Sequence, residues 1–245
     1  MRSLTKLTWV ELKLFVREPL SIIFTFAFPL VLLVVLIASF TPNDPAFGGL
    51  RPSDYYLASY IAVVIGAIGL IVVPVRIAGY REGGVLRRLR ASSVPGWSVF
   101  ASQAAVGLGM AVVGAILLGA VGRLAYGAAL PASLISVTAA FLIGAFSFLA
   151  LGLLLALIAP NARAAQGLGL LLFLPLWLLS GAGPPPDVMG AGMRHVSEAL
   201  PLTYVVRALQ DPWVGSGANV AALLVLIAVA AVATAVTLWL ERRAG

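Results

Sequence analysis

The sequence predicts an all-α integral membrane protein, and its composition, its apolar stretches and the placement of its charges together lead to that prediction. Of the 245 residues, 61% are hydrophobic and 10% are charged, whereas a soluble domain carries about 25% charged residues. A soluble fold of this length could not bury so much apolar surface. A bilayer can accept it, because each helical span needs about 20 apolar residues.

Six apolar stretches are long enough to be spans, and no Asp, Glu, Lys or Arg lies inside any of them. The fifth contains Pro175, which a helix in lipid tolerates only where neighbouring groups satisfy the freed carbonyl. Since six spans use nearly the whole chain, we expect one transmembrane domain, residues 1–245, without a nucleotide-binding domain. The predicted spans are residues 20–40, 55–75, 97–121, 133–158, 165–180 and 219–240.

The placement of Lys and Arg predicts the orientation. Twelve of the 16 Lys and Arg residues lie in the N-terminal segment, residues 76–96, residues 159–164 and the C-terminal tail. Because cytoplasmic connections carry the excess of basic residues, both termini are predicted in the cytoplasm, and an even number of spans agrees by placing both termini on one side. The abundance of Arg, Ala and Gly indicates a GC-rich bacterial genome, so we expect a multi-pass protein of the bacterial cytoplasmic (inner) membrane.

Residues 1–18 predict an amphipathic helix at the inner membrane surface. Lys6, Lys13 and Arg17 share one side of a helical wheel, next to an apolar face, as in helices that lie in the headgroup region. Pro19 separates this segment from the first span. The alternative is a plain positively charged anchor that fixes the topology.

Two connections stand out by length and composition. Residues 76–96 form the longest and most charged predicted cytoplasmic connection, with three glycines followed by a helix-compatible stretch rich in arginine; a solvated loop that only fixes topology is the alternative. Residues 182–215 form a long outer connection with two stretches of helical spacing. These predict two short amphipathic helices that dip into the outer leaflet or cap it, and loops this long are usually functional.

The residues weigh against catalysis by this chain. There is no cysteine and one histidine, His195, so thiolate and histidine-rich metal sites are excluded. No phosphate-binding loop of the G-x-x-x-x-G-K-[ST] type occurs. An intramembrane serine protease of the rhomboid kind is disfavoured because Leu178 stands where its motif before Ser180 needs glycine. We therefore expect no catalytic residue, no metal site and no cofactor on this chain.

Two further classes remain as alternatives. An ion-coupled secondary transporter usually carries charged residues inside its spans, and the predicted spans have none. A membrane scaffold without transport needs no particular residues, and only the charged cytoplasmic loop argues against it. The net charge of +7 lies on basic residues that flank apolar spans, so membrane orientation explains it and no nucleic-acid partner is expected.

Four segments resemble, in order, the permease subunits of ABC-2-type exporters, and the drug-export branch is the most similar. The first is the R-E-P junction after the N-terminal helix, and the second is YREGGVLRRLRASSVP, similar to the family's cytoplasmic coupling loop. The third is PNARAAQG, between the fourth and fifth spans. The last and most specific is LPLWLLSGAGPPPDVMGAGMRHVSEALPLTYVVRAL.

The resemblance implies partners and roles. A separate cytosolic ATPase would hold ATP and Mg, a second permease, identical or related, would complete the path, and lipids would surround both. The coupling segment would contact the ATPase through Tyr80, Arg81, Glu82, Arg87, Arg88 and Arg90, with a smaller second contact at Asn161 and Arg163. The outer re-entrant segment would include Pro184, Pro185, Pro186, His195, Pro201 and Tyr204.

The same resemblance predicts an outward path for the substrate. Candidate lining residues are Tyr55, Tyr56, Ser59 and Tyr60, near the outer end of the second span; an interfacial aromatic belt is the alternative. Because the spans offer hydroxyls and amides but no charges, the path should be largely apolar. We expect a lipid-like, drug-like or glycan substrate.

Overall fold

The computed structural model describes Trp9, Lys13, residues 23–42 and 44–85, Arg88 and residues 96–244 of the chain. Within these residues all regular structure is helical and no strand occurs. A π-helical turn, Ile23–Ala27, leads into the first helix. In chain order the helices are α1 (Phe28–Ala38), α2 (Pro52–Glu82), α3 (Gly96–Tyr126), α4 (Leu134–Ile158), α5 (Ala162–Leu179), α6 (Ala191–Glu198), α7 (Pro201–Trp213) and α8 (Val220–Ala244).

Five of these helices, α2 to α5 and α8, are long and apolar enough to cross a membrane. The first predicted span is represented by a shorter apolar helix, Thr25–Ala38, and its residues 20–22 lie outside the described part of the chain. Most of the predicted interfacial helix, residues 1–18, also lies outside it, although Trp9 and Lys13 are helical. A membrane-spanning bundle of helices is therefore confirmed, and the sixth span stays a prediction.

Several helices differ from the predicted spans at their ends. The second does not end near residue 75: residues 76–82, predicted as loop, continue α2, and the helix stops where Gly83 and Gly84 follow, Gly84 with φ +68°. The third continues to Tyr126, before Gly127 at φ +64°. The fifth begins at Ala162 rather than 165, because the side chain of Asn161 caps it. For α4 the prediction agrees to within one residue.

Inside α2 the α-helix widens into a π-helical turn over Ile68–Val72. There the N–H of Val73 donates to the carbonyl of Ile68. The next residue, Pro74, has no N–H, so it can donate neither to Leu70, its α-helical acceptor, nor to Gly69, its π-helical acceptor. The proline thus explains why the regular ladder is interrupted at this position.

The carbonyls of Gly69 and Leu70 lie against glycines of neighbouring helices. A side chain at Gly152 of α4 would overlap the carbonyl oxygen of Gly69, and one at Gly169 of α5 would overlap that of Leu70. Conversely, a Cβ atom on Gly69 would lie 2.5 Å from the carbonyl oxygen of Phe148 in α4. The three helices therefore meet backbone to backbone, and we call these the glycine contacts of α2.

The short helix α7 lies inside the bundle rather than on its surface. It packs against α2, α4 and α8. A Cβ atom on Gly66 of α2 would lie 3.2 Å from the Leu202 side chain, and one on Gly144 of α4 would lie 2.9 Å from the Val205 side chain. The first residues of α7 are thus level with the middle of α2. Helices α3, α4, α5 and α7 all pack against α2.

We expect Gly152→Ala to destabilise the protein, because the added methyl group has no space between α4 and α2. Overpacking of this kind typically costs about 1–3 kcal/mol, and a thermal-unfolding scan in detergent should show a lower midpoint. The matched control is Gly109→Ala on α3, where a Cβ atom meets nothing within 4 Å. A midpoint for Gly152→Ala equal to that of the control would contradict the glycine contacts.

Candidate functional site

At the Glu82 end of α2, two neighbouring charged residues bind the junction between α4 and α5. The Arg81 guanidinium donates to the carbonyl of Leu157, at 3.3 Å, and to that of Ala159. The Glu82 carboxylate accepts the N–H of Ala162 at 3.2 Å. We call these contacts the clamp.

The clamp matches charge to helix polarity. The last carbonyls of a helix have no partner within it and carry partial negative charge, while the first N–H groups carry partial positive charge. Arg81 binds carbonyls at the end of α4, and Glu82 binds the first N–H of α5. Each side chain thus satisfies groups that the helices themselves leave open, and the end of α2 is fixed to two other helices.

The structure brings together the two segments that the sequence assigned to a cytosolic partner. Asn161 caps α5, its Oδ1 accepting the N–H of Ala164 at 2.8 Å, and Arg163 is exposed. With Glu82, both line an open depression of about 430 Å³. Glu82 of the predicted main contact therefore lies on one surface with both residues of the predicted second contact.

The rest of the predicted coupling segment is described only in part. Tyr80 is half-buried on α2. Arg88 is exposed, and its guanidinium donates to the carbonyl of Gly83 at 3.2 Å. Arg87 and Arg90 lie outside the described residues.

At the opposite, Pro52 end of α2, the predicted path residues are buried inside the subunit. The Tyr55 hydroxyl donates to the carbonyl of Gly181 at 2.8 Å, and the Tyr56 hydroxyl donates to that of Gly183 at 3.2 Å. Gly181 has φ +87°, a conformation that favours glycine. We call these two hydrogen bonds the tyrosine contacts, and they fix the turn after α5 to the end of α2.

Ser59 and Tyr60 extend this buried cluster along α2. The amide of Gln210 in α7 donates to the Ser59 hydroxyl at 2.7 Å and to the Tyr55 carbonyl at 3.3 Å. The Tyr60 hydroxyl is buried and has no hydrogen-bond partner among the residues described. In this conformation none of the four predicted residues faces lipid as an aromatic belt would, and their role in a path stays a prediction.

The predicted outer segment forms a turn and two short helices. Pro184, Pro185 and Pro186 follow the turn, with Pro185 buried. His195 is exposed on α6, its Nδ1 2.7 Å from the carbonyl of Ala191, and it is helical rather than in a loop. Pro201 begins α7, and the hydroxyl of Tyr204 donates to the carbonyl of Glu198 at 2.6 Å. The two predicted helices are present, and the apolar side chains of Met193 and Val196 on α6 are exposed.

Sequence reasoning missed two polar side chains that join elements at the Pro52 end. Gln210 was not singled out, although it is a polar residue in the largely buried sequence of α7. Asp54 pairs with Arg51 at 2.9 Å and accepts the N–H of Ala129 at 2.6 Å. The sequence does show a polar residue beside an apolar stretch at both positions. It does not show the partner of either residue, because Ser59 and Ala129 lie far away along the chain. In the part of the chain that the structure describes, no three His, Cys, Asp or Glu side chains cluster as metal ligands would.

The sequence matches the model of the ABC-2 type transporter family over residues 2–212. The chain belongs to this family. No curated protein matches the chain. Family membership makes it a transmembrane permease of ABC-type transport, a transport component of a kind that is typically non-catalytic and that works with an ABC ATPase.

We expect Tyr55→Phe and Tyr56→Phe to loosen the turn that carries Gly181 and Gly183, because each change leaves a buried carbonyl without its donor. A lost hydrogen bond of this kind typically costs about 1 kcal/mol. Hydrogen exchange followed by mass spectrometry should show faster exchange across residues 180–186. The control is Tyr126→Phe at the end of α3, and exchange equal to this control would argue against the tyrosine contacts.

Proposed function

We propose that this chain is the membrane-spanning permease of a bacterial exporter in which a separate cytosolic ATPase supplies the energy. The clamp is the observation that carries the proposal. The clamp joins the end of α2 to the junction of α4 and α5. Both of these segments were predicted to contact the ATPase. A push on this surface would therefore reach three helices at once.

In the proposed topology six helices span the cytoplasmic membrane, and both termini lie in the cytoplasm. Support comes from the five long apolar helices, the shorter apolar helix Thr25–Ala38, and the excess of Lys and Arg on one set of connections. The Glu82 end of α2 is then cytoplasmic and the Pro52 end is outer. Residues 1–18 lie as an interfacial helix against the inner leaflet.

The proposed coupling surface combines charges from two connections. Arg87, Arg88 and Arg90 extend beyond α2, and Arg163 is exposed at the start of α5. Arginine forms planar, bidentate contacts with carboxylates, so this surface suits an acidic groove on the ATPase. The Glu82 carboxylate also holds α5 within the same subunit, and its exposed side chain would contact the ATPase from that position.

The proposed motion treats α2 as a lever. Its glycine contacts with α4 and α5 form the pivot, the clamp holds its cytoplasmic end, and the tyrosine contacts hold its outer end. ATP binding would draw two ATPases together and tilt the cytoplasmic end. The outer turn would then separate from Tyr55 and Tyr56 and expose them to a path between two permeases.

The proposed path is largely apolar, with hydroxyl groups at its outer end. Tyr55, Tyr56, Ser59 and Tyr60 become lining residues only when the outer turn moves away, and the unpartnered hydroxyl of Tyr60 would then gain hydrogen-bond partners. Such a path suits a lipid-like, drug-like or glycan substrate. ATP and Mg belong to the ATPase partner, and this chain holds no cofactor.

The proposed re-entrant segment is α6 with α7, which enters from the outer side and returns to it. Leu202, at the start of α7, lies against Gly66 of α2, about 21 Å along the helix from Pro52 at the rise of an α-helix. Trp213, at the other end of α7, donates from its indole to the carbonyl of Ala129, in the connection between α3 and α4, at 3.0 Å. The hairpin therefore descends to the middle of the bundle and rises again.

We expect the chain to purify as a stable complex with an ABC ATPase encoded beside it when the two are co-expressed. Reversing the charges of Arg87 and Arg88 to Glu should weaken that complex, because an acidic groove would then meet like charge. Arg242→Glu with Arg243→Glu is the control, since these residues carry the same charge in the C-terminal tail. Failure of the wild-type chain to bind any such ATPase would overturn the proposed function.

A further inference from the structure

We propose that the Tyr60 hydroxyl and the Trp177 indole together form a binding site for the carbonyl oxygen of a neutral ester in a lipid-like substrate. This inference rests on the proposed function, because it places a substrate contact on the outward path. It adds Trp177 to the residues of that path, and it selects the lipid-like class among the substrates expected there.

Two buried hydrogen-bond donors from different helices lie side by side in the outer half of the bundle. Tyr60 of α2 is fully buried, and its hydroxyl has no hydrogen-bond partner among the residues described. The indole N–H of Trp177 in α5 lies beside that hydroxyl without the geometry of a hydrogen bond, and it too is buried and without a partner in the described part of the chain. Since buried polar groups are nearly always hydrogen-bonded, two adjacent unused donors indicate a ligand that accepts from both.

The packing of α5 on α2 brings the two donors to one level. The ring of Phe173 in α5 lies 3.4 Å from the position of a Cβ atom on Gly66 in α2. Because the two helices run in opposite directions, the next turn of α5 carries Trp177 toward Tyr60, nearer the Pro52 end of α2. Tyr60 is eight residues from Pro52, which is about 12 Å along the helix.

This depth is close to that of the acyl esters in a bilayer. Arg51, exposed at the outer end of α2, pairs with Asp54 at 2.9 Å, and this ion pair marks the aqueous side. The headgroup region occupies roughly 5–8 Å on each side of the hydrocarbon core. The two donors, about 12 Å further in, therefore lie just inside the hydrocarbon, next to the level at which glycerol esters hold the acyl chains.

The chemistry of the two donors favours a single neutral carbonyl oxygen. Such an oxygen has two lone pairs and can accept from a hydroxyl and an indole N–H at once. No Asp, Glu, Lys or Arg occurs in residues 55–75 or 165–180, and an ionised group loses its solvation in apolar surroundings. A phosphate or carboxylate is therefore disfavoured. A glycan would bring many hydroxyl donors of its own, whereas this site offers two donors among apolar side chains.

The surface of α5 beside Trp177 suits the acyl chains of such a substrate. Leu174 and Leu178, close to Trp177 on the same helix, are half-exposed, and 17% of the apolar window of α5 is buried. The Ser180 hydroxyl donates to the carbonyl of Trp177 at 3.1 Å, so the end of α5 moves with the outer turn. When that turn separates from α2, a carbonyl oxygen can enter between the two donors.

The indole N–H resonance of Trp177, assigned with Trp177→Phe, reports the bond directly. The probes are diester and diether phosphatidylcholine, which differ in the carbonyl groups alone, each in nanodiscs holding the ¹⁵N-labelled chain with its ATPase. With ATP and vanadate, we expect the Trp177 proton to shift downfield in the diester lipid only. Without nucleotide, the two lipids should give the same spectrum. Trp213 is the internal control, because its indole already donates to the carbonyl of Ala129.

Removing either donor should weaken the preference for the ester. The two lipids compete for the vanadate-trapped complex, and native mass spectrometry counts the bound molecules. We expect wild type to retain more diester than diether lipid, and Tyr60→Phe or Trp177→Phe to reduce that ratio about fivefold, the effect of one hydrogen bond. Tyr126→Phe and Trp239→Phe, on α3 and α8, are the matched controls. Since the Tyr60 hydroxyl has no partner among the residues described, Tyr60→Phe should fold as well as wild type.

Three results would overturn the inference. Equal Trp177 spectra in both lipids with ATP and vanadate would show that no ester carbonyl reaches the site. A shift that is also present without nucleotide would assign the carbonyl to a resident lipid rather than to a substrate. Either variant keeping the full preference, although its complex elutes as a single species, would exclude that donor. In each case the chain still binds the ATPase, whereas a chain that binds none would overturn the proposed function itself.

Discussion

The backbone contacts of α2 with α4 and α5 constrain the rest of the structure. In a bilayer no water satisfies a carbonyl that has lost its helical donor, and Pro74 has no N–H to donate to the turn that holds Gly69 and Leu70. The carbonyls of these two residues face Gly152 and Gly169, where the absence of a side chain lets the helices approach. Contacts between glycine Cα–H groups and carbonyl oxygens are worth about 0.5–1 kcal/mol each, and close packing adds to them.

The two ends of α2 are then fixed in different ways. At the Glu82 end, charged side chains bind the open backbone groups of α4 and α5, and water can reach the exposed surface around them. At the Pro52 end, the buried tyrosine hydroxyls and the Gln210 amide bind carbonyls inside the bundle, and the more exposed Asp54 carboxylate accepts the N–H of Ala129 at its edge. Charge is therefore used where the chain leaves the membrane, and neutral hydrogen bonds are used where it is surrounded by apolar side chains. Since α2 is continuous between its two ends, displacement of one end is transmitted to the other.

The positions of the helices follow from local sequence, whereas the partners of the side chains that join them do not. Apolar stretches predict the long helices because burial in lipid depends on composition alone, and Asn161 before an apolar run could have predicted the start of α5. The partner of Glu82 could not be predicted, because a charge near a loop suits a cytosolic protein as well as a helix end. The tyrosines were expected in a belt or a path, and their acceptors lie 126 and 127 residues away. Contacts over such distances depend on how the helices pack.

The most direct test of the lever locks the clamp with a disulfide. The chain has no cysteine, and a Cβ atom on Gly79 would lie 3.8 Å from that of Ala162, the usual separation in a disulfide. Gly79→Cys with Ala162→Cys should therefore cross-link on oxidation, with each single variant as a control. In the complex with the ATPase, ATP and vanadate should still increase hydrogen exchange across residues 180–186 after cross-linking, because α2 and the α4–α5 junction move together. Loss of that increase on oxidation, with recovery on reduction, would show that the two must separate and would contradict the account.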